Sequence, residues 1–454
     1  MIGYLLISSF TLTGLLLTLR PKWLLYFLFL LGPLPLSPLV TNPFMETPLG
    51  LVNIGALKVA SILLIVTVGV LLTPMRLSKA ASGIGLMLAF LVYAVISLSW
   101  ADNPTIGIRM LLKLMTPILV FFYLFGNVHR IGLQALFSAA TFSGLLYLCY
   151  GLLTSHNLSL AGLSIPGASR AEYSGHLVSV IAMLAAQCAF QPSILRLSTL
   201  LLLSAGTVAA FTRITIASMF AALGSAWFWR SRGPLKYLWP VLGVAAFLAL
   251  FVFVDEFRQR MFLTSADSVT LESLVTQPLD TASKVAGSGR FAAWEQALER
   301  LYEPNPATGS GIGASQDMFY GGSARATNVS AVHSEIIRLL CDLGLIGMTL
   351  YLLGWFQLLL GLIRFNAEQR RSADGTPNTE HPLQRALVVA ALGSSLAYLL
   401  FLLTDNGFDY VAQISMFVYA TVGAALGLRR PALRVASLAA DVERTPRTMP
   451  QFTT

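Results

Sequence analysis

Long apolar runs alternate with short polar stretches along almost the whole chain. A bilayer core of about 30 Å takes about 20 helical residues, more or fewer with tilt and thinning. Runs of that kind cover residues 4–19, 23–40, 51–73, 80–99, 108–127, 131–154, 175–190, 197–212, 214–229, 237–254, 336–363, 386–404 and 411–428. They predict an all-α, polytopic integral membrane protein with about 12–13 transmembrane helices. In 197–229, 33 nearly uninterrupted residues surround one charge, Arg213. A straight helix of that length reaches about 50 Å, too far for one span. Two short helices meeting at Arg213 are therefore predicted.

The runs divide the chain into a bundle of about ten spans over 1–254, a long extramembrane loop over 255–335 and a second set of spans over 336–430. The remainder, 431–454, reads as a disordered tail. Met1–Leu19 has no basic leader and no A-x-A site, so a retained span is expected there rather than a signal peptide. No internal repeat is visible, which counts against a transporter built from two similar halves.

Composition agrees with the pattern. Hydrophobic residues make up 56% and charged residues 11% of the 454, against roughly 25% charged in a soluble domain. The net charge of +9 does not mark a nucleic-acid binder, because the charges sit at the ends of apolar runs. Cys149, Cys188 and Cys341 all lie inside apolar segments without paired spacing, which excludes a disulfide scaffold. Basic residues mark every second loop: Arg20 and Lys22, Arg76 and Lys79, Arg130, Arg196, then Arg230, Arg232 and Lys236. Arg364, Arg370, Arg371 and Arg385 continue the series, and Arg429, Arg430 and Arg434 end it. Read by the excess of Lys and Arg on the cytoplasmic side, this puts the N-terminus outside, the C-terminus inside and the 255–335 loop outside.

That loop opens polar and then gives RFAAWEQALERLY, where Phe291, Trp294, Leu298 and Leu301 share one helical face. An amphipathic helix near 290–302 is expected, lying along the membrane surface. Asn305-Pro306 ends it, and the Gly-rich GSGIGASQDMFYGG follows.

Several residues can carry chemistry. His333, at the outer mouth of the span beginning near 336, can take a proton from an alcohol; equally, it can cap a helix or sit in the headgroup layer. Arg213 costs roughly 2.5–3.5 kcal/mol if left at the bilayer centre, so it reaches the interface at a tight turn or binds an anion. Arg290 either stacks on Trp294, four residues on, or offers a guanidinium fork to a phosphate. Arg109 and Lys113, at the outer start of a span, are secondary candidates that read better as solvated anchors. Arg300 and Trp294 are further secondary candidates; Arg300 repeats the ten-residue gap to a glycine that separates Arg213 from Gly224, a weak signal. Asp405 and Asp409 share a short outer loop and Asp342 lies within a span, and none of them has metal-ligand spacing. No P-loop, GxSxG, HExxH or CxxC motif occurs.

The segment 289–347 resembles the C-terminal signature of the O-antigen ligase/polymerase family in GRFAAWEQAL, NPATGSGIG and HSEIIRLLCDLGLIG. Ser334 stands where the family commonly has Asn, and Thr212 in FTRITIAS stands where it commonly has Ser. SLSWADNPTIGIRMLLKL is similar to a further family segment, an outer-face loop leading into the next span. The resemblance implies a bacterial inner-membrane glycosyltransferase, metal-independent and inverting, without a cofactor. Its donor would be an undecaprenyl-pyrophosphate-linked glycan and its active face periplasmic. The resemblance gives His333 the role of base and Arg213 and Arg290 the pyrophosphate. Two acceptors fit: a second lipid-linked repeat, making a polysaccharide polymerase, which is favoured slightly, or a lipid A-core sugar, making an O-antigen ligase. A secondary transporter with Arg213, Asp342 and the Asp405 pair as pathway charges is a competing class, and a scaffold for other envelope assembly proteins is a third.

Overall fold

The computed structural model describes residues 2–34, 44–47, 50–73, 82–155, 170–210, 212–231, 233–238, 241–243, 245, 249, 290–320, 332–375, 382–405 and 407–429. The expected span at 237–254, the opening of the long loop and the C-terminal tail fall largely or wholly outside them. The helices are α1 (Ile2–Leu17), α2 (Pro21–Leu31), α3 (Ile54–Leu71), α4 (Ser82–Ile96), α5 (Pro104–Ile131), α6 (Leu133–Ser155), α7 (Arg170–Phe190), α8 (Ile194–Ala209) and α9 (Arg213–Arg230). They continue with α10 (Arg290–Ala297), α11 (Ala314–Tyr320), α12 (Glu335–Gly375), α13 (Pro382–Thr404) and α14 (Met416–Leu428). Among the described residues, eight helical segments are long and apolar enough to cross a membrane, and α1, α2 and α8 are shorter apolar helices. The chain is an all-α, multi-pass membrane protein. One addition to that expectation is an antiparallel hairpin of β1 (Phe44–Thr47) and β2 (Gly50–Asn53), with Phe44 opposite Asn53 and Thr47 opposite Gly50. Asn53 then caps α3 by accepting from Gly55 N.

The predicted break at Arg213 is present: α8 ends at Ala209 and α9 starts at Arg213. The α14 segment is the most enclosed, with 94% of its span window buried, followed by α7 at 89% and α13 at 78%. These three, with α5, form the centre. Close packing of α14 on α5 depends on Gly423 and Gly427, because a Cβ there would lie 2.4 Å from Phe121 O and 2.6 Å from Phe125 O. Small residues four apart let two backbones meet in this way inside a membrane.

The long helix α12 is broken at Gly344, with φ 63° and ψ −168°. Beyond the break, exposed apolar side chains run from Leu345 and Ile346 through Leu353 and Phe356 to Ile363. At 1.5 Å per residue that band is about 28 Å long, one bilayer core. Glu335, Arg338 and Asp342 therefore lie beyond the apolar band and not at its middle.

The break is filled by the Gly-rich loop. Ser310 N donates to Cys341 O at 2.9 Å and Gly311 N to Asp342 O at 2.9 Å. In return Leu345 N donates to Pro306 O at 2.9 Å and Ile346 N to Ala307 O at 3.1 Å. Four backbone groups released by the broken helix are thus satisfied by one loop, as irregular backbone near a membrane requires. Helix α10 rests on protein, which differs from the expected position along the bilayer surface. Ala293 and Ala297 are fully buried against Met318, Phe319, Val332 and Cys341, with Trp294, Leu298 and Leu301 packed around them. Two alanines allow a closer approach than the larger residues flanking them, so the inner face is turned from the predicted one.

Candidate functional site at one end of the bundle

His333 precedes α12 with φ +49°, the only non-glycine residue at positive φ among those described. A left-handed conformation costs an ordinary residue roughly 1–2 kcal/mol, so its neighbours must hold it. Ser334 caps the helix, its Oγ accepting from Ile337 N at 3.4 Å, so the cap survives with Ser in place of Asn. On the other side, Val332 O accepts a hydrogen bond from Trp294 Nε1. The imidazole is 32% exposed, and its Nδ1 lies 3.8 Å from Oδ1 of Asp405, whose side chain is 9% exposed. That separation is longer than a formed hydrogen bond.

Both principal arginines start a helix at this end, although their side chains lie outside the described residues. Helices α9 and α13 run antiparallel: Ser218 Oγ donates to Ala397 O at 3.0 Å, and Gly393 faces Ala222. Continued by one turn, that register sets Arg213 level with the last turn of α13, just before Asp405. Arg290 lies one turn before Trp294, whose indole holds the residue next to His333. The fold thus brings His333, Arg213 and Arg290 to one end, from sequence positions up to 120 residues apart.

The secondary candidates divide. Arg109 and Arg300 are exposed. Trp294 is a structural contact. Lys113 is not a solvated anchor: its Nζ contacts Asp409 Oδ1 at 2.5 Å. Asp409 Oδ2 also accepts from Arg338 Nη2 at 2.8 Å. Arg338 Nη1 lies 3.6 Å from Glu335 Oε1, and both side chains are buried. Glu335 Oε2 in turn accepts from Phe408 N at 3.1 Å. Sequence reasoning passed over Glu335 and Arg338 entirely. Asp342, considered only as a pathway charge, accepts from Gly313 N at 2.9 Å and Ser315 N at 2.7 Å. It pins the Gly-rich loop to α12.

At the opposite end, Arg429 pairs with Glu368 at 2.6 Å, the Arg385 guanidinium covers the Phe190 ring and Arg196 bonds Gln191 O. The ends of α5, α7, α9, α12 and α14 and the start of α13 meet there, as the alternation of basic loops predicts. Among the described residues no group of three His, Cys, Asp or Glu side chains is arranged to hold a metal ion.

The class defined so far is a multi-pass membrane protein that gathers a histidine, helix-starting arginines and a buried ion cluster at one end. The family model described as O-antigen ligase matches residues 198–352, a stretch running from α8 past the break in α12. That stretch is about a third of the chain, and over it the chain is similar to the O-antigen ligase family. Among curated proteins no relative matches the chain.

Proposed function

We propose that this protein is a metal-independent, inverting glycosyltransferase of the bacterial inner membrane. It moves a glycan from undecaprenyl pyrophosphate to an acceptor sugar hydroxyl at the periplasmic face. The observation that carries the reading is the His333–Asp405 pair, 3.8 Å apart, at the end of the bundle where α9 and α10 begin with Arg213 and Arg290. His333 takes the proton of the acceptor hydroxyl as its oxygen attacks the anomeric carbon. The sugar–phosphate bond breaks on the opposite face, and the pyrophosphate leaves with its charge met by the two guanidinium groups. Asp405 favours the proton on Nδ1, leaving Nε2 for the acceptor, and stabilises the imidazolium that forms. The charges collect beyond the apolar band of α12, which disfavours the transporter reading, since a substrate pathway would carry them at the midplane.

The acceptor assigned here is a second lipid-linked repeat, making the protein a polysaccharide polymerase. The alternative acceptor is lipid A-core, making the protein an O-antigen ligase, and the family model that matches covers both readings. A glycan gel of a strain lacking the gene separates them. Lipid A-core with a single repeat and no ladder means polymerase; bare lipid A-core with full-length chains left on the carrier means ligase. Complementation with His333→Ala is expected to fail in either case, and a wild-type pattern from it would remove the histidine from the mechanism.

A further inference from the structure

We infer that Asp409 is the hub of a clamp, Lys113–Asp409–Arg338 with Glu335 beside it, that holds the 405–410 loop in register with α12 and thereby sets Asp405 against His333. This rests on the proposed function, since it concerns the positioning of the proposed base. Three elements converge on one carboxylate. Lys113 comes from α5, Arg338 from the first turn of α12, and Asp409 from the short helical turn Gly407–Tyr410.

The described residues of the loop are held at several points. Asp405 N continues the α13 ladder to Phe401 O, Phe408 N donates to Glu335, and Gly407 O accepts from Ser415 Oγ at 2.8 Å. Glu335 and Arg338 are two and five residues from His333 on the same chain segment, while Asp409 is four from Asp405. The two ends of the His333–Asp405 contact therefore lie a few residues from the two sides of the Arg338–Asp409 pair. Its geometry is fixed there, not by the loose 3.8 Å contact itself. Two of its charges, Arg338 and Glu335, are buried, and a buried charge left without its partner is costly and leaves few alternative registers. None of its members needs to touch substrate, so these are positioning residues.

The test uses the purified full chain in proteoliposomes with a labelled undecaprenyl-pyrophosphate-linked repeat as donor. Asp409→Asn is expected to lower kcat about 100-fold, the scale of an ångström-sized misplacement. Donor KM is expected to stay within about threefold, because the interaction lost acts on turnover and not on uniform binding. Asp409→Glu should recover part of the rate. Lys113→Met, at the half-exposed rim of the clamp, is the variant that keeps the Arg338 pair if Asp409→Asn fails to fold. It should lower kcat in the same sense, and Lys113→Met combined with Asp409→Asn should be no slower than Asp409→Asn alone. Wild-type kcat in either single variant, beside an inactive His333→Ala, overturns the clamp alone. Wild-type kcat in His333→Ala overturns the base assignment and the clamp's purpose with it.

Discussion

At the scale of the residue, His333 combines a left-handed backbone with a partly exposed ring. Asn tolerates that backbone best among polar replacements, whereas a β-branched residue does not. His333→Asn is therefore expected to reach the membrane in normal amount and to be inactive, while His333→Val also loses thermal stability. A melting curve in detergent beside a transfer assay checks both. Asp342 makes a different prediction. Replacing it with Ala leaves the Gly313 and Ser315 amides unpaired, at about 1–3 kcal/mol for each buried orphan. Asp342→Ala should melt well below wild type, and Asp342→Asn, which keeps one acceptor oxygen, should fall between. Arg213 stands out in the sequence as one charge inside a long apolar run, and His333 as a histidine at the mouth of a span. Asp342 is equally conspicuous, but its partners are backbone amides, which leave no trace in residue identity. Asp409 was visible only as one acid in a polar loop, because its partners lie 71 and 296 residues away.

At the scale of the element, the break in α12 was hidden inside a run that reads as one continuous span. CDLGLIG is apolar enough to continue a helix, and glycine alone does not end one. What fixes the break is the loop. A Cβ on Gly344 would stand 2.4 Å from Ala307 O, in addition to the cost of its positive φ. Gly344→Ala is expected to expel the 306–313 loop, lowering the melting point and opening a new protease site between Glu303 and Gly313. Gly361→Ala, on the same helix with only an ordinary 3.5 Å contact to Leu426, is the control. It should be neutral, or stabilising by about 0.5–1 kcal/mol. The paired helices α8 and α9 were readable in advance, because bilayer thickness caps span length whatever the packing. The seat of α10 was not, since periodicity shows an apolar face without showing whether lipid or protein covers it.

At the scale of the whole molecule, the two ends of the bundle differ in chemistry. One holds the histidine, the loop and the clamp; the other collects cations. In a chain whose three cysteines are replaced by serine, Glu299→Cys is expected to react with a membrane-impermeant maleimide on intact cells. Glu368→Cys, at the far end of α12, should react only after permeabilisation. The opposite pattern would invert the orientation and put the proposed chemistry on the wrong side for a lipid-linked donor.

The two docking events also differ in when they can happen. The loop joins residues 27 to 39 apart, so it can seat itself as soon as α12 leaves the ribosome. The carboxylate at 409 belongs to the span that runs to Leu428, and Lys113 must wait for it through nearly 300 residues of synthesis. Until residue 409 is in place, a growing chain leaves Lys113 without that carboxylate and Arg338 with only its neighbour Glu335. On the proposed function, Asp405 is set against His333 only once the segment carrying Asp409 has been inserted, and a chain that stops short of it is expected to be inert.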